Sequence, residues 1–173
     1  MRIQGTTPER GLIVALWLAV MALPALAAPP FVIESVDMDF SSEIQAAAEE
    51  GKHLAIFFHQ EGCPYCDKMR LRVLPDPKVS AFFEKNFYII ESNIKGSLPV
   101  VTPAGEEMSE KKFARKIRVR ATPVFTFYGQ DGKQALRTTG YLDPSRFLKA
   151  GEFVVNGAYK DGTSFYRYLR EGK

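Results

Sequence analysis

The only two cysteines among the 173 residues, Cys63 and Cys66, are separated by Pro64 and Tyr65. Two thiols at this spacing can close a disulfide with each other and can pass that disulfide to a partner by thiol–disulfide exchange. The attacking species in such an exchange is a thiolate, so the elements around the pair must stabilise a negative charge on one sulfur.

The residues on either side of the pair predict how it is held. Residues 53–58 are apolar and typical of a buried strand, and residues 67–73 are compatible with a helix. At the start of that helix, Cys63 would face unpaired backbone N–H groups and the positive end of the helix dipole, which favour its thiolate. Pro64 suits the first helical position. Cys66 then lies one turn inward, so we assign Cys63 as the nucleophile and Cys66 as the resolving thiol.

Composition limits the class of protein. The chain is long enough for one compact domain with appendages, and its 46% apolar and 12% aromatic residues suffice for a core. A formal net charge of +3 without a Lys/Arg block does not indicate a nucleic-acid partner.

The N-terminal residues predict an export signal. Arg2 and Arg10 supply a positively charged N-terminal region, residues 11–26 are apolar, and residues 25–27 form a small-x-small cleavage pattern. An uncleaved anchor is the alternative, but the apolar run is shorter than the roughly 20 residues of a spanning helix, and Pro24 interrupts its end.

Cleavage after residue 27 would leave residues 28–173 as the exported domain, with a core at about 40–156 and a short C-terminal helix. We therefore expect a periplasmic protein, without stable membrane association and monomeric. An oxidising compartment closes nearby cysteine pairs, so a reductant working there needs a supply of electrons from a thiol donor in the membrane.

The rest of the chain alternates strand-like and helix-like segments. The order of elements, with a hairpin near the end, predicts an α/β fold with a mixed central β-sheet flanked by helices. The expected strands are 31–36, 53–58, 87–93, 98–101, 124–128 and 134–138, and the expected helices follow Ser41, Cys63, Asp76, Ser109, Asp143 and Thr163.

A second motif, Thr122-Pro123, directly precedes an apolar strand. With Cys-Pro-Tyr-Cys after an earlier apolar strand, it resembles the thioredoxin superfamily over roughly residues 40–156. The resemblance implies a thioredoxin fold with a cis Pro123 packed against the dithiol, whereas an ordinary trans strand start is the alternative. It also implies that Thr122 offers backbone groups to an extended protein substrate, with Pro64, Tyr65, Thr122 and Pro123 forming the substrate-binding residues.

Within that superfamily the chain resembles the exported thioredoxin-related proteins of the SoxW type, which accompany periplasmic sulfur-oxidation systems. This resemblance implies protein disulfide substrates and a membrane thiol donor of electrons. It rests on residues 75–77, 105–118, 140–142, 158–159 and 165–169.

Two departures leave the direction of the reaction open. Gly62 precedes Cys63 where thioredoxins usually carry Trp, and Phe57 takes the place of their buried acid, leaving Glu61 or water as substitute proton acceptors. Cys-Pro-Tyr-Cys is also a glutaredoxin pattern and occurs in some periplasmic isomerases. Reduction potentials in this class span about 150 mV, so oxidase or isomerase activity is the alternative to the reductant that we expect.

Two further alternatives use the same cysteines differently. A purely structural disulfide would close a loop too small to add much stability through chain entropy. A metal site would need His53 and His59 as well, and these lie at opposite ends of the predicted strand, although soft thiolates do bind Cu(I). We expect no cofactor and no metal, and we keep a Cu(I)-binding or partner-binding module as the alternative outside catalysis.

Overall fold

The computed structural model describes residues 28–172. This part of the chain contains six strands and six α-helices. The strands are β1 (His53–His59), β2 (Phe87–Asn93), β3 (Pro99–Val101), β4 (Glu107–Ser109), β5 (Val124–Tyr128) and β6 (Gln134–Thr139). The helices are α1 (Phe40–Glu49), α2 (Pro64–Lys68), α3 (Pro77–Asn86), α4 (Glu110–Lys116), α5 (Pro144–Val155) and α6 (Phe165–Glu171). A π-helical turn, Met69–Val73, continues α2, and a 3-10 turn, Ala158–Asp161, precedes α6.

The central sheet has four strands in the order β2-β1-β5-β6. β1 and β2 are parallel because helices connect them, whereas β5 pairs with β1 and β6 in antiparallel fashion. β3 and β4 form a separate two-stranded sheet. The predicted α/β fold with a mixed central sheet is confirmed.

Alternation along β1 divides the core between the two faces of the sheet. Ala55 and Phe57 belong to the cluster that also contains Cys66 and the buried residues of α3 and α5. Leu54 and Ile56 belong to the cluster formed with α1 and α4. Because successive side chains of a strand point to opposite faces, residues 54–58 of β1 are all apolar and buried, and only the two terminal histidines are partly exposed.

Phenylalanine rings fill the face that carries the cysteines. The Phe147 ring of α5 stacks on Phe83 of α3, with centroids 4.6 Å apart, and meets Phe125 of β5 edge-on at 4.8 Å. Phe125 in turn stacks on Phe57 at 4.4 Å. These contacts couple α3 and α5 to the strands that flank the cysteine loop.

Most predicted helix starts are confirmed, with one correction. Asp76 and Asp143 cap α3 and α5, each followed by proline. For α1 the predicted cap, Ser41, is wrong: Asp39 is the cap, and its carboxylate accepts hydrogen bonds from the backbone and the hydroxyl of Ser42 at 3.0 and 2.8 Å. A carboxylate two residues earlier can reach the free N–H groups of the first turn.

The strands also differ from the prediction in two places. Residues 31–36 do not form a strand: only Val32 pairs with Ile89 at the β2 edge before the chain leaves to reach α1. β4 was not predicted and pairs with β3. The predicted signal peptide lies outside the described residues, within which no helix has the length and apolar character needed to cross a membrane.

Candidate redox site

The two cysteines lie where β1 gives way to α2. Residues 60–62 make the turn, which Gly62 accommodates with a φ of +65°. Cys63 is the N-cap of α2 and Pro64 occupies its first position, as the sequence predicted. A disulfide joins Cys63 and Cys66, whose Cα atoms are 5.3 Å apart.

Two hydrogen-bond donors converge on the sulfur of Cys63. The backbone N–H of Cys66 lies 3.2 Å from Cys63 Sγ and also donates to the Cys63 carbonyl at 3.0 Å. The hydroxyl of Thr122 donates to the same sulfur at 3.2 Å. Once the disulfide opens, both donors stabilise negative charge on Cys63, because a hydrogen bond to an ionised group is stronger than one to a neutral group.

The two sulfurs differ in their contact with solvent. Cys66 is fully buried, and Cys63 retains 6% of its surface. Cys66 packs into the phenylalanine-rich core beneath α2, whereas the flanking Pro64 and Tyr65 are exposed. Cys63 is therefore the end of the pair that a partner can approach.

Thr122 and Pro123 reach the cysteines from the opposite side of the turn. The peptide bond between them is cis, as the resemblance implied, and β5 starts at the next residue. Thr122 is partly exposed and Pro123 is buried. The hydrogen bond from Thr122 places this loop directly against Cys63.

An aromatic rim that the sequence did not predict adjoins the site. The ring of Tyr65, 55% exposed, lies 6.2 Å from that of Tyr141 in the loop after β6. The ammonium of Lys68 lies 5.5 Å from the ring centroid of Tyr65 and 5.8 Å from that of Tyr141. Tyr141 follows just after β6, and the pairing of β6 with β5 brings it to the site.

A charged cluster borders Phe57, the residue that replaces the expected acid. Glu91 of β2 pairs with Phe57 across the strands and accepts hydrogen bonds from Arg70 Nε at 2.9 and 3.1 Å. Arg70 lies in the π turn, four residues after Cys66. His59 Nε2 lies 3.5 Å from the Glu91 carboxylate. Glu61, the acid considered from the sequence, is exposed.

Burial lowers the pKa of His59 below its ordinary value, and the neighbouring Glu91 carboxylate partly opposes that effect. For Arg70, the hydrogen bonds to Glu91 raise the pKa, so the guanidinium stays charged. The cluster therefore holds a fixed ion pair, with a histidine that is neutral near pH 7.

A shared metal site with both histidines does not form. His53 and His59 stand at the two ends of β1, and His53 Nδ1 is 3.2 Å from the Tyr128 carbonyl. Within residues 28–172, no three His, Cys, Asp or Glu side chains are grouped to hold a metal ion.

The sheet order, the cis proline and a Cys-x-x-Cys pair at a helix start together define a thioredoxin fold. Residues 40–155 match the family described as Thioredoxin-like domain, so the chain belongs to that family.

Solved structures agree on the fold. A thioredoxin-fold protein from Helicobacter pylori is 20% identical, with a TM-score of 0.62 over 80% of this chain and 86% of that one. A thioredoxin from Thermus thermophilus is 27% identical, with a TM-score of 0.56 over 76% of this chain and 93% of that one. No curated protein sequence matches the chain.

Proposed function

We propose that this protein is a thiol–disulfide oxidoreductase that acts on protein disulfides through Cys63 and Cys66. The observation that carries the proposal is the unequal setting of the two sulfurs. Cys63 is the accessible one and accepts two hydrogen bonds, while Cys66 is buried one turn away at bonding distance. The 27% identical Thermus thermophilus protein, itself a thioredoxin, supports the same chemistry.

Each half of the exchange balances in atoms and electrons. The Cys63 thiolate attacks one sulfur of the partner disulfide, a mixed disulfide forms, and the other partner sulfur leaves as a thiolate that takes up a proton. Cys66 then loses its proton and attacks Cys63 Sγ, which breaks the mixed disulfide and releases the second partner thiol. The partner gains two electrons and two protons, and this chain ends with the Cys63–Cys66 disulfide. The reverse sequence oxidises a partner.

Four further residues contact the substrate in this proposal. Pro64 and Tyr65 form the exposed surface between the cysteines, and Thr122 and Pro123 form the loop that meets Cys63. The backbone of Thr122 pairs with an extended segment of the partner, which tolerates varied sequences because main-chain groups make the bonds.

The working direction in this proposal is reduction, in the periplasm, with electrons from a membrane thiol donor and a role beside sulfur oxidation of the SoxW type. The charge pattern and cleavage signal of residues 1–27 support export. The SoxW assignment rests on the sequence resemblance.

The Cys66→Ser variant tests the mechanism directly. Without the resolving thiol, mixed disulfides between Cys63 and partner proteins accumulate and are released by a reducing agent, and Cys63→Ser forms none. Absence of mixed disulfides from Cys66→Ser, together with tight stoichiometric Cu(I) binding by the reduced protein, would instead establish a binding module. The equilibrium potential of the pair decides the direction: a value below about −250 mV favours a reductant, and one above about −150 mV an oxidant.

A further inference from the structure

A groove next to the redox site is closed by a helix outside the family match. It has a volume of about 470 Å³ and lies between the end of β6, the start of α5 and α6. The residues used below are Thr139, Tyr141, Leu142, Arg146, Tyr166 and Leu169. α6 begins at Phe165, ten residues past the end of the matched segment, so this wall of the groove lies outside the family match.

One side of the groove is a free strand edge. β6 is the last strand of the sheet, and the Gly140 N–H donates to the Pro123 carbonyl on the β5 side at 2.8 Å. Because hydrogen bonding alternates along an antiparallel strand, the backbone groups of Arg137 and Thr139 point away from β5. Among residues 28–172, no backbone hydrogen bond joins these two residues to another element. This edge can accept an added strand.

The charge around the groove is positive. Its lining contains Arg137 and Arg146 and no acidic residue. The guanidinium of Arg137 donates to the carbonyls of Ile117 and Arg118, so Arg146 supplies the cation available to a ligand. Asp143 is 3.7 Å from Arg146, but its carboxylate also caps α5. An acidic ligand therefore fits better than a basic one.

The groove is continuous with the redox site. Tyr141, one of its lining residues, contacts Tyr65 between the cysteines, and Lys68 adds positive charge beside both rings. The far wall offers apolar surface from Leu169 and from Tyr166, whose side chain is 81% exposed. A polypeptide leaving Cys63 past Tyr141 would enter the groove along β6.

We propose that this groove docks an extended acidic segment of the disulfide-bonded partner, close to the disulfide that Cys63 attacks. The backbone of the segment pairs with Arg137 and Thr139, its acidic side chains meet Arg146 and Lys68, and an apolar side chain packs against Leu169 and Tyr166. This inference rests on the proposed exchange activity and names the chemistry of the substrate that the activity selects.

The experiment compares two synthetic peptides that contain the same disulfide. One carries an Asp/Leu-rich flank and the other a Lys/Leu-rich flank, and stopped-flow fluorescence gives the second-order rate constant for reduction by the reduced protein. We expect the acidic peptide to react about tenfold faster at low ionic strength, with a smaller difference at high salt because screening weakens the attraction. N-methylation of the acidic flank, which removes its backbone donors, should slow the reaction.

Variants locate the effect. Arg146→Glu should abolish or reverse the preference, and the neutral Leu169→Gln, which removes apolar contact surface without adding charge, should slow both peptides. The matched control is Lys112→Glu, a charge reversal at an exposed position of α4 on the other face of the sheet, which should retain the preference. The rate constant for reduction of 2-hydroxyethyl disulfide should differ by no more than about twofold among all these proteins, because this small, neutral disulfide does not reach the groove.

The outcomes separate this inference from the proposed function. Equal rates for both peptides, with normal reduction of 2-hydroxyethyl disulfide, would overturn the proposed docking in the groove and would leave the proposed exchange activity intact. No reduction of any disulfide would overturn the proposed function itself. A wild-type dimer in sedimentation that Arg146→Glu dissociates would also overturn the inference, because a second copy of the chain would then fill the groove.

Discussion

The guanidinium of Arg70 lies 5.1 Å from the centroid of the Phe57 ring. Phe57 itself occupies the position at which thioredoxins carry a buried acid. The ring of Phe57 also stacks on Phe125. The ion pair of this region is thus formed between the neighbouring strand and the π turn, by Glu91 and Arg70, and His59 at the end of β1 adjoins it. This arrangement keeps the interior of β1 apolar and ties the helix that carries Cys66 to the sheet.

The Arg70–Glu91 pair should contribute measurably to stability. Both side chains are less than one-third exposed and several hydrogen bonds join them. A double-mutant cycle with Arg70→Met and Glu91→Gln, followed by urea unfolding, should give a coupling energy of about 1–2 kcal/mol. The control is the half-exposed pair Lys116–Glu106, for which the same cycle should give at most about 0.5 kcal/mol. Equal couplings would contradict the structural role given to Arg70.

Thr122→Val should lower the reduction potential of the Cys63–Cys66 pair. The variant keeps the shape of the side chain but removes the hydroxyl that donates to Cys63 Sγ at 3.2 Å. The hydrogen bond is present in the disulfide state but is stronger to a thiolate, and a difference of about 1 kcal/mol between the two states lowers the reduction potential by about 20 mV because the reduced state is destabilised more. Equilibration with a glutathione buffer measures this shift. Thr122→Ser, which restores the hydroxyl, should return the potential toward the wild-type value, and a shift shared by both variants would refute the explanation.

Gly151→Ala should destabilise the fold although alanine favours helices. Gly151 is buried in α5, and a Cβ atom there would lie 2.8 Å from Phe82 Cε1 and 3.0 Å from the Phe83 ring. The gain in helix propensity, about 1 kcal/mol, equals only the lower bound of the cost of forcing α5 away from α3, about 1–3 kcal/mol. Chemical denaturation should therefore show a net loss. The exposed Ser145→Ala in the same helix is the control and should change stability by no more than about 0.5 kcal/mol.

Acidification should weaken the fold partly through His53. Burial lowers the pKa of this histidine, and its Nδ1 lies 3.2 Å from the Tyr128 carbonyl. His53 therefore binds a proton more readily in the unfolded chain than in the folded one. The free energy of unfolding should decrease as pH falls below about 6.5, the ordinary pKa of histidine, and this decrease should end once pH is below the pKa of His53 in the folded state. Urea midpoints measured across that window should fall more steeply for wild type than for His53→Gln. His59, whose pKa is also lowered, should leave a residual slope in the variant, and identical slopes would exclude a contribution from His53.

The redox motif was predictable because it is encoded locally. An apolar strand, Gly62 at the turn, Pro64 at a helix start and the spacing of the cysteines all lie within one short stretch. The sheet was predictable for a similar reason, since hydrophobic runs and turn residues mark β1, β2, β5 and β6. The N-cap of α1 was wrong because Asp39 and Ser41 are both good caps, and the sequence alone does not say which backbone N–H groups are free.

The surroundings of the dithiol depended on contacts between distant segments. The pairing of β1 with β2 places Glu91 beside Phe57, and only then can Arg70 reach it. The pairing of β6 with β5 was predicted, but no local pattern indicates that Tyr141, just past the end of β6, brings its ring to Tyr65. A polar residue within an apolar strand, such as Glu91 in β2, was the one available signal for the cluster.

The complete burial of Cys66 leaves Cys63 as the one sulfur of the pair at which a partner can react. In the proposed exchange, a partner that donates electrons and a partner that accepts them would both react at Cys63, one after the other, and would compete for the same small surface. Geometry thus fixes Cys63 as the reacting sulfur, whereas the direction of electron transfer would depend on the reduction potentials of the two partners. In a cell, the abundance of each partner would set how often it occupies the surface around Cys63.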